Sequence, residues 1–451
     1  MFYTLSWISG GFDNIQLDIV GFLAILGEGS IEANAQVATL SRIIYLPRLL
    51  PAPQALLRPT RPSKLAPIPG YVTGIYSGNS RDYINHIGNV VVEAESLPEF
   101  SVKCVQINKL HKKQAINKNK RWGKRPSEDV KAMDKDEKGG KRQYEDVKAN
   151  MYGPLAGLAV FGCMESCVLL SLSFWRKDGM ALMATLLLSL LSTLIGFGNK
   201  WELKLPERKD SIDNLPPGNL VIRYPKGNFL VIECDENVAR ELFFAPENIN
   251  YRIASPWKYR MVSLVGTLML MFGVIFLGNA TTWMQVGFAV AFMLLNAAYW
   301  IVAALPSKLH WNTACYQVTE LAFERMKTPD EAAPPEGIKP KWGVEYCKTF
   351  TEALWKVICA TRNIDWVQRS DAAPKTQEWD DWLHEALEIA KSVPSRTENQ
   401  QPEKQQTEIQ RAKKKWAKTL REENAKFQVP AWDPRKALKK LYSDTKAANS
   451  V

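Results

Sequence analysis

The sequence predicts an α-helical integral membrane protein made of two transmembrane helical hairpins. A small cytosolic α+β insert lies between the hairpins, and a partly helical tail follows them. Three observations carry this prediction. Four apolar runs between residues 153 and 305 each have the length that crosses about 30 Å of hydrocarbon. They come in two pairs, each joined by a short turn. Trp175, Trp201, Trp257, Trp283, Trp300 and Trp311 stand at or near the run ends, where an indole settles at headgroup level.

Whole-chain averages hide this pattern. The 451 residues are 46% hydrophobic and have a mean hydropathy of −0.21, as in a soluble protein. The apolar residues are concentrated in the runs, and the polar residues are concentrated outside them.

Residues 1–150 form a basic extension without sustained helical or strand periodicity. Pro47, Pro51, Pro53, Pro59, Pro62, Pro67 and Pro69 interrupt any helix there. Residues 103–150 hold 15 Lys+Arg and 7 Asp+Glu, too little apolar surface to offset chain entropy. The expectation is therefore a mostly disordered segment. Met151 stands immediately before the first apolar run and is an alternative translation start. The acid-poor stretch 35–92, with Arg42, Arg48, Arg58, Arg61 and Arg81 against the single acid Asp82, has a faint transit-peptide character, but it is internal and proline-rich.

The first hairpin, residues 151–198, has spans at about 153–175 and 179–198, with Arg176, Lys177 and Asp178 at the turn. The second, residues 261–305, has spans at about 261–278 and 283–305. Lys and Arg crowd the segments before the first span, between the hairpins and after the fourth. The positive-inside rule then puts both termini and residues 199–260 in the cytosol. Asn279-Ala-Thr281 is a glycosylation sequon in the outer turn, close to the bilayer.

Within 199–260, two β-rich runs cover 219–234. The Pro225-Lys-Gly-Asn228 turn between them predicts a hairpin. A helix over Glu236–Phe244 is expected to cover it, and Asn250–Ile253 adds a third strand. Beyond Pro306, residues 306–451 form a cytosolic tail with linkers at 328–340 and 394–406. Helices are expected at 308–326, 343–361 and 378–392; Trp379, Trp382, Leu383, Ala386, Leu387 and Ala390 make one apolar face of the last.

Several chemistries lack their motifs. Seven cysteines and four histidines occur with no zinc spacing, and no phosphate-binding loop, dinucleotide fingerprint or nucleophile elbow is present. No catalytic residue, cofactor or metal is assigned. The candidate site is an intramembrane polar layer. Glu165 is the only carboxylate within the predicted spans, and a rise of about 1.5 Å per residue puts Ser189 and Asn296 at its depth. It reads either as a proton- or ion-handling group or as the donor of one interhelical hydrogen bond to Asn296. Small residues mark the expected packing faces: Gly153, Gly157, Cys163 and Cys167 on the first span, Gly287 and Ala291 on the fourth.

From Met151 onward the chain resembles an uncharacterised family of multi-span membrane proteins from filamentous fungi. The resemblance rests on Met151-Tyr-Gly-Pro-Leu-Ala-Gly157, on Leu220-Val-Ile-Arg-Tyr-Pro225 with Asn228-Phe-Leu-Val-Ile-Glu-Cys-Asp235, and on Leu305-Pro-Ser-Lys-Leu-His-Trp311. It covers roughly residues 151–320. It implies a membrane protein and no activity, so it assigns no functional residue.

The functional expectation is a membrane-anchored scaffold or adaptor whose insert and tail bind cytosolic or membrane proteins. The alternatives are a small transporter or channel using Glu165, and a membrane enzyme with a cytosolic-face site. The lipid bilayer is the first partner, and the basic stretches 103–148 and 411–440 add contact with anionic lipid. Those stretches lack repeated interleaved aromatics, which disfavours nucleic acid. Spans of about 18–23 residues lean towards the endoplasmic reticulum or Golgi rather than a thicker plasma membrane.

Overall fold

The computed structural model describes residue 31 and residues 42–93, 97–110, 147–150, 153–203, 205, 217–325, 343–393 and 426–448. Expectations for most of 1–41, for 111–146 and for both linkers lie outside the described residues.

Among the described residues the strands and α-helices start with β1 (Ile68–Gly74), β2 (Ser80–Ile84), α1 (His86–Val92), β3 (Val102–Lys109) and β4 (Lys148–Ala149). Next come α2 (Pro154–Trp175), α3 (Gly179–Asn199), β5 (Trp201–Leu203), β6 (Leu220–Arg223), β7 (Phe229–Cys234), α4 (Glu236–Ala239) and β8 (Ile249–Tyr251). Then follow α5 (Pro256–Gly278), α6 (Thr282–Ala303), β9 (Trp311–Asn312), β10 (Tyr316–Arg325) and β11 (Val344–Glu345). The last elements are α7 (Phe350–Thr361), α8 (Asp365–Arg369), α9 (Gln377–Ser392), β12 (Lys426–Val429) and α10 (Pro434–Ala448).

These elements form two units. The first is drawn from Met1–Leu65, Val147–Lys204 and Asn248–Thr313, the second from Ala66–Asp146, Leu205–Glu247 and Ala314–Val451.

The first unit is built on α2, α3, α5 and α6, four helices long and apolar enough to cross a membrane, in two adjacent pairs. Proline at the first turn of α2 and of α5 costs no hydrogen bond and presets φ. Glycines bring the helices together. A Cβ on Gly273 of α5 would stand 2.8 Å from Leu188 of α3, and one on Gly162 of α2 would touch Leu295 of α6 at 3.5 Å. The outward faces are apolar, with Val160, Met183, Leu190, Leu268, Phe272 and Met293 all exposed. At one end, β4 pairs with β9 and β5 with β8, so the flanks of α2 and α6, and of α3 and α5, are tied by short antiparallel ribbons.

The second unit is a mixed sheet in the order β12-β10-β3-β7-β6-β1-β2, with β11 also paired to β3. The pairs β10–β12 and β3–β7 are parallel and the others antiparallel. The predicted hairpin is present as β6 and β7, paired from Leu220↔Ile232 to Arg223↔Phe229 across the Pro225–Asn228 turn. Both its faces are apolar, as expected of strands covered on two sides. One face packs Val221, Phe229 and Val231 against Leu354, Trp355, Ile358 and Trp366 of the C-terminal helices.

Three expectations give way. Residues 42–93 and 97–110, read as part of a disordered extension, are ordered, and β3 lies inside the sheet between β7 and β10. The 199–260 insert is not one body: β5 and β8 belong to the first unit, the hairpin to the second. The third strand is present as β8, and it pairs with β5. Residues 316–325, expected as helix from the spacing of Val318, Leu321 and Ala322, form β10, because Leu321 and Phe323 alternate inward onto the α7 core.

The C-terminal region is also better packed than its composition predicts. Trp432 lies 4.6 Å from Trp355 and 5.7 Å from Trp382, ring centre to ring centre. The Trp382 indole N–H donates to the carbonyl of Pro434 (2.9 Å), which anchors α10.

Candidate functional site

The site grows from a segment that the sequence reading left unstructured. Residues 42–58 lie against the helices of the first unit as a 3-10 turn (Arg42–Tyr45), an extended proline-flanked stretch and a second 3-10 turn (Pro53–Leu56). Irregular backbone in an apolar bundle leaves amides and carbonyls without ladder partners, so side chains must satisfy them.

Three helices do this by one device: a glycine for close approach and a serine three or four residues away for the hydrogen bond. On α2, a Cβ on Gly162 would stand 3.2 Å from the Leu49 carbonyl oxygen, and the Ser166 hydroxyl accepts from the Leu49 amide at 3.0 Å. On α3, Gly196 faces the Ile44 carbonyl (2.8 Å from a Cβ), and Ser192 accepts from the Arg48 amide at 3.0 Å. On α5, Gly266 faces Leu57, and the Ser263 hydroxyl donates to the Leu57 carbonyl. Thr193, Asn199 and Tyr259 bind the carbonyls of Tyr45, Leu56 and Arg58. Ser166 is 12 residues into α2 and Ser192 is 7 residues from the end of α3. The segment therefore reaches about 11–18 Å along the bundle.

The segment ends at Arg61, which closes this arrangement. Its guanidinium donates to the carbonyls of Gly198 (2.8 Å) and Ile253 (2.7 Å) and is sandwiched between the rings of Tyr251 and Tyr259, each 3.9 Å away. The cation at the C-terminal carbonyls of α3 complements the helix dipole.

At the deep point the segment places an arginine. Arg48 is 6% exposed, and its Nη1 is within 3.3–3.5 Å of the carbonyls of Ile43, Ile44 and Leu46. Its Nε has no hydrogen-bond partner, and no described carboxylate pairs with it. The Tyr299 hydroxyl lies within its reach.

The groups of the predicted polar layer are not joined. Both Glu165 carboxylate oxygens are buried and make no hydrogen bond, and the same holds for the Ser189 hydroxyl. The expected Glu165–Asn296 bond is not made. Gly162 approaches Leu295 and Leu169 approaches Gly287, which puts Glu165 opposite Ala291 and Phe292, about one helical turn from Asn296.

The packing residues divide. Gly153 is pressed against the Leu309 carbonyl (3.1 Å from a Cβ), Gly287 meets Leu169 at 3.7 Å, and Ala291 is buried. Gly157 faces open space, Cys167 is exposed and Cys163 half-buried. The buried row of α2 is instead Ala156, Ala159, Gly162, Ser166, Leu169 and Ser173. The signal that could have found it is the placement of serines: Ser166, Ser173, Thr185 and Ser192 are buried and each donates to the carbonyl three or four residues back.

In the second unit two buried charges, Glu241 and Lys356, are held in ion pairs. Lys109 meets Glu241 at 2.8 Å. Lys356, which is fully buried, meets Glu345 at 3.0 Å and Glu352 at 3.7 Å. Paired charges of this kind fix the position of their elements, here β3 on α4's flank and α7 on β11. Burial raises the Cys347 thiol beside Lys356 to about 12, so it stays protonated and unreactive. Among the described residues no three potential metal ligands cluster.

The fold and the intramembrane groups define a candidate integral membrane protein with four spans and a sizeable mixed β-sheet unit. Comparison with protein-family models finds no match, and comparisons with curated proteins and with solved structures find none either.

Proposed function

We propose that this chain is a membrane-anchored scaffold. The observation that carries the reading is the filling of the helical unit by residues 42–58. Apart from Ser189, the buried hydroxyls of α2 and α3 are spent on helix carbonyls and on the amides of that segment. Such hydroxyls hold protein to protein, and a transport path needs polar groups that are free to exchange partners.

The second unit then serves as the binding module. The Lys/Arg bias puts it, both termini and the helix ends tied by β4–β9 and β5–β8 on the cytosolic side. The membrane is an endomembrane, and the juxtamembrane cations meet its anionic lipid.

A second reading is a small proton-coupled transporter. It is favoured by one observation, the buried and unpartnered Glu165 carboxylate. Purification of the full chain in mild detergent and reconstitution in liposomes separates the two. A scaffold co-purifies with stoichiometric partners and gives tight vesicles. Proton-coupled flux in the wild type, lost in Glu165→Gln, would overturn the scaffold reading.

A further inference from the structure

We infer that the outer surface of the four-helix unit fits a thin bilayer, with a hydrocarbon layer of about 26 Å bounded by two levels of exposed tryptophan. The inference rests on the membrane reading above and adds the kind of bilayer.

Tryptophan and exposed apolar residues mark the two levels independently. Trp175 at the end of α2 and Trp283 at the start of α6 are 76% and 68% exposed, and they share one end of the bundle. Trp257 at the start of α5 and Trp300 near the end of α6 are 64% and 56% exposed, at the opposite end. Indole this exposed on an apolar bundle prefers the boundary between hydrocarbon and headgroup. Exposed cations lie at both levels: Arg176 and Lys177 just outside Trp175, and Lys258 and Arg260 one and three residues inward of Trp257 on α5.

The spacing sets the thickness. Trp283 and Trp300 are 17 residues apart on α6, which is about 26 Å of rise. The exposed apolar residues of α3 run from Met180 to Phe197, the same separation on a different helix. A tilt of about 20° shortens either to about 24 Å. An endoplasmic-reticulum bilayer has a hydrocarbon layer of about 27 Å, and a sterol-rich plasma membrane one of about 32–33 Å. The second would bury both indole levels or require the bilayer to thin around the protein.

The test uses the full chain reconstituted in phosphatidylcholine vesicles whose monounsaturated acyl chains lengthen from myristoleoyl to erucoyl. Insertion is scored by resistance to alkaline extraction, and the thermal unfolding midpoint is recorded in each lipid. The midpoint should be highest in the myristoleoyl to palmitoleoyl range and fall by several degrees in erucoyl lipid. The double variant Trp283→Leu/Trp300→Leu, altered only at exposed positions, should keep its midpoint in detergent and show a flatter dependence on chain length. A maximum in the longest lipids, no dependence in the wild type, or an unchanged dependence in the double variant each overturns the thin-bilayer inference while leaving the membrane reading standing. A chain extracted from every bilayer overturns both.

Discussion

The Asp178 carboxylate accepts hydrogen bonds from both the backbone amide and the hydroxyl of Thr281, at 2.8 and 2.9 Å. Its other oxygen accepts from the amides of Met180 and Ala181, the first turn of α3. One side chain thus caps α3 and ties the turn between α2 and α3 to the turn between α5 and α6. Burial alone would raise its pKa, but the four donated hydrogen bonds outweigh burial and hold it below the usual carboxylate value.

Asp178→Ala should therefore destabilise the chain by about 2 kcal/mol, the upper range for losing a helix cap. Asp178→Asn should cost about 1 kcal/mol, because one carboxylate oxygen becomes an amide donor facing Thr281. Since the folded pKa lies below the unfolded one, this contribution is present at neutral pH and is lost as pH falls through the folded value. Thermal unfolding of the variants in detergent checks the order. Thr281 is also the third residue of the Asn279 sequon, and the Asn279 amide donates to the Ile275 carbonyl at 2.8 Å. With both groups engaged, the intact mass should show no glycan at Asn279.

The glycine and serine contacts of residues 42–58 give a second prediction. Gly196→Ala puts a methyl 2.8 Å from the Ile44 carbonyl oxygen and should destabilise by about 1–3 kcal/mol. Ser192→Ala leaves the buried Arg48 amide unpaired, at a cost of about 1–3 kcal/mol. Gly157→Ala, which meets nothing within 4 Å, should be neutral or slightly stabilising. Unfolding midpoints that did not separate Gly196 from Gly157 would show that the segment is not held as described.

A chain starting at Met151 should not fold. It would lack the segment that fills the helical unit and also β3, which pairs with β7, β10 and β11. Expressed alone, residues 151–451 should elute as aggregate in detergent, whereas the full chain gives a single peak.

What the sequence disclosed follows from what each element asks of it. The spans are continuous apolar runs, so composition alone locates them, and α2 and α3 begin and end within about two residues of the reading. The β6–β7 hairpin was legible because its turn needs Pro225 and Gly227, the latter at φ +73°. Residues 42–58 were illegible because an irregular segment has no period; its information sits in the glycines and serines of other helices. Depth can be counted along each helix separately, but the stagger of α6 against α2 is set by packing, with Gly162 on Leu295 and Gly287 on Leu169, so Asn296 lies about one turn from the Glu165 layer. In β10, Val318, Leu321 and Ala322 satisfy a helical pattern and Leu321 and Phe323 satisfy a strand, and only the pairing partner β3 decides.

Glu247 predicts a pH dependence in the second unit. Its carboxylate accepts from the amides of His86 (2.9 Å) and Ile87 (2.8 Å) at the start of α1. Burial dominates over these bonds and over nearby Arg81, and raises its pKa to about 7. A raised carboxylate pKa means that the folded state holds the proton more tightly. The contribution is complete below the unfolded value and is lost as pH rises through about 7. Unfolding midpoints between pH 5 and 8 should fall across this window in the wild type, and the fall should be smaller in Glu247→Gln.

Glu165 gives the last prediction, and its geometry sets the sign. Both oxygens are buried without a partner, so the group contributes no hydrogen bond to lose. Glu165→Gln exchanges one unpaired polar group for another and should change stability by less than about 1 kcal/mol. Glu165→Leu removes the unpaired group between Gly162 and Leu169 and should stabilise by about 1 kcal/mol or more, the lower range for an unsatisfied buried polar atom. A scaffold has no reason to retain such a group beyond tolerance, and both variants should then bind the same partners as the wild type. A transporter retains it because the proton must come and go, and both variants would then lose flux while folding as well as or better than the wild type. Unfolding midpoints and liposome flux measured on the same three preparations separate these cases. Destabilisation by Leu would show that Glu165 has a partner after all, and lost flux in a stabilised Leu variant would make the acid functional.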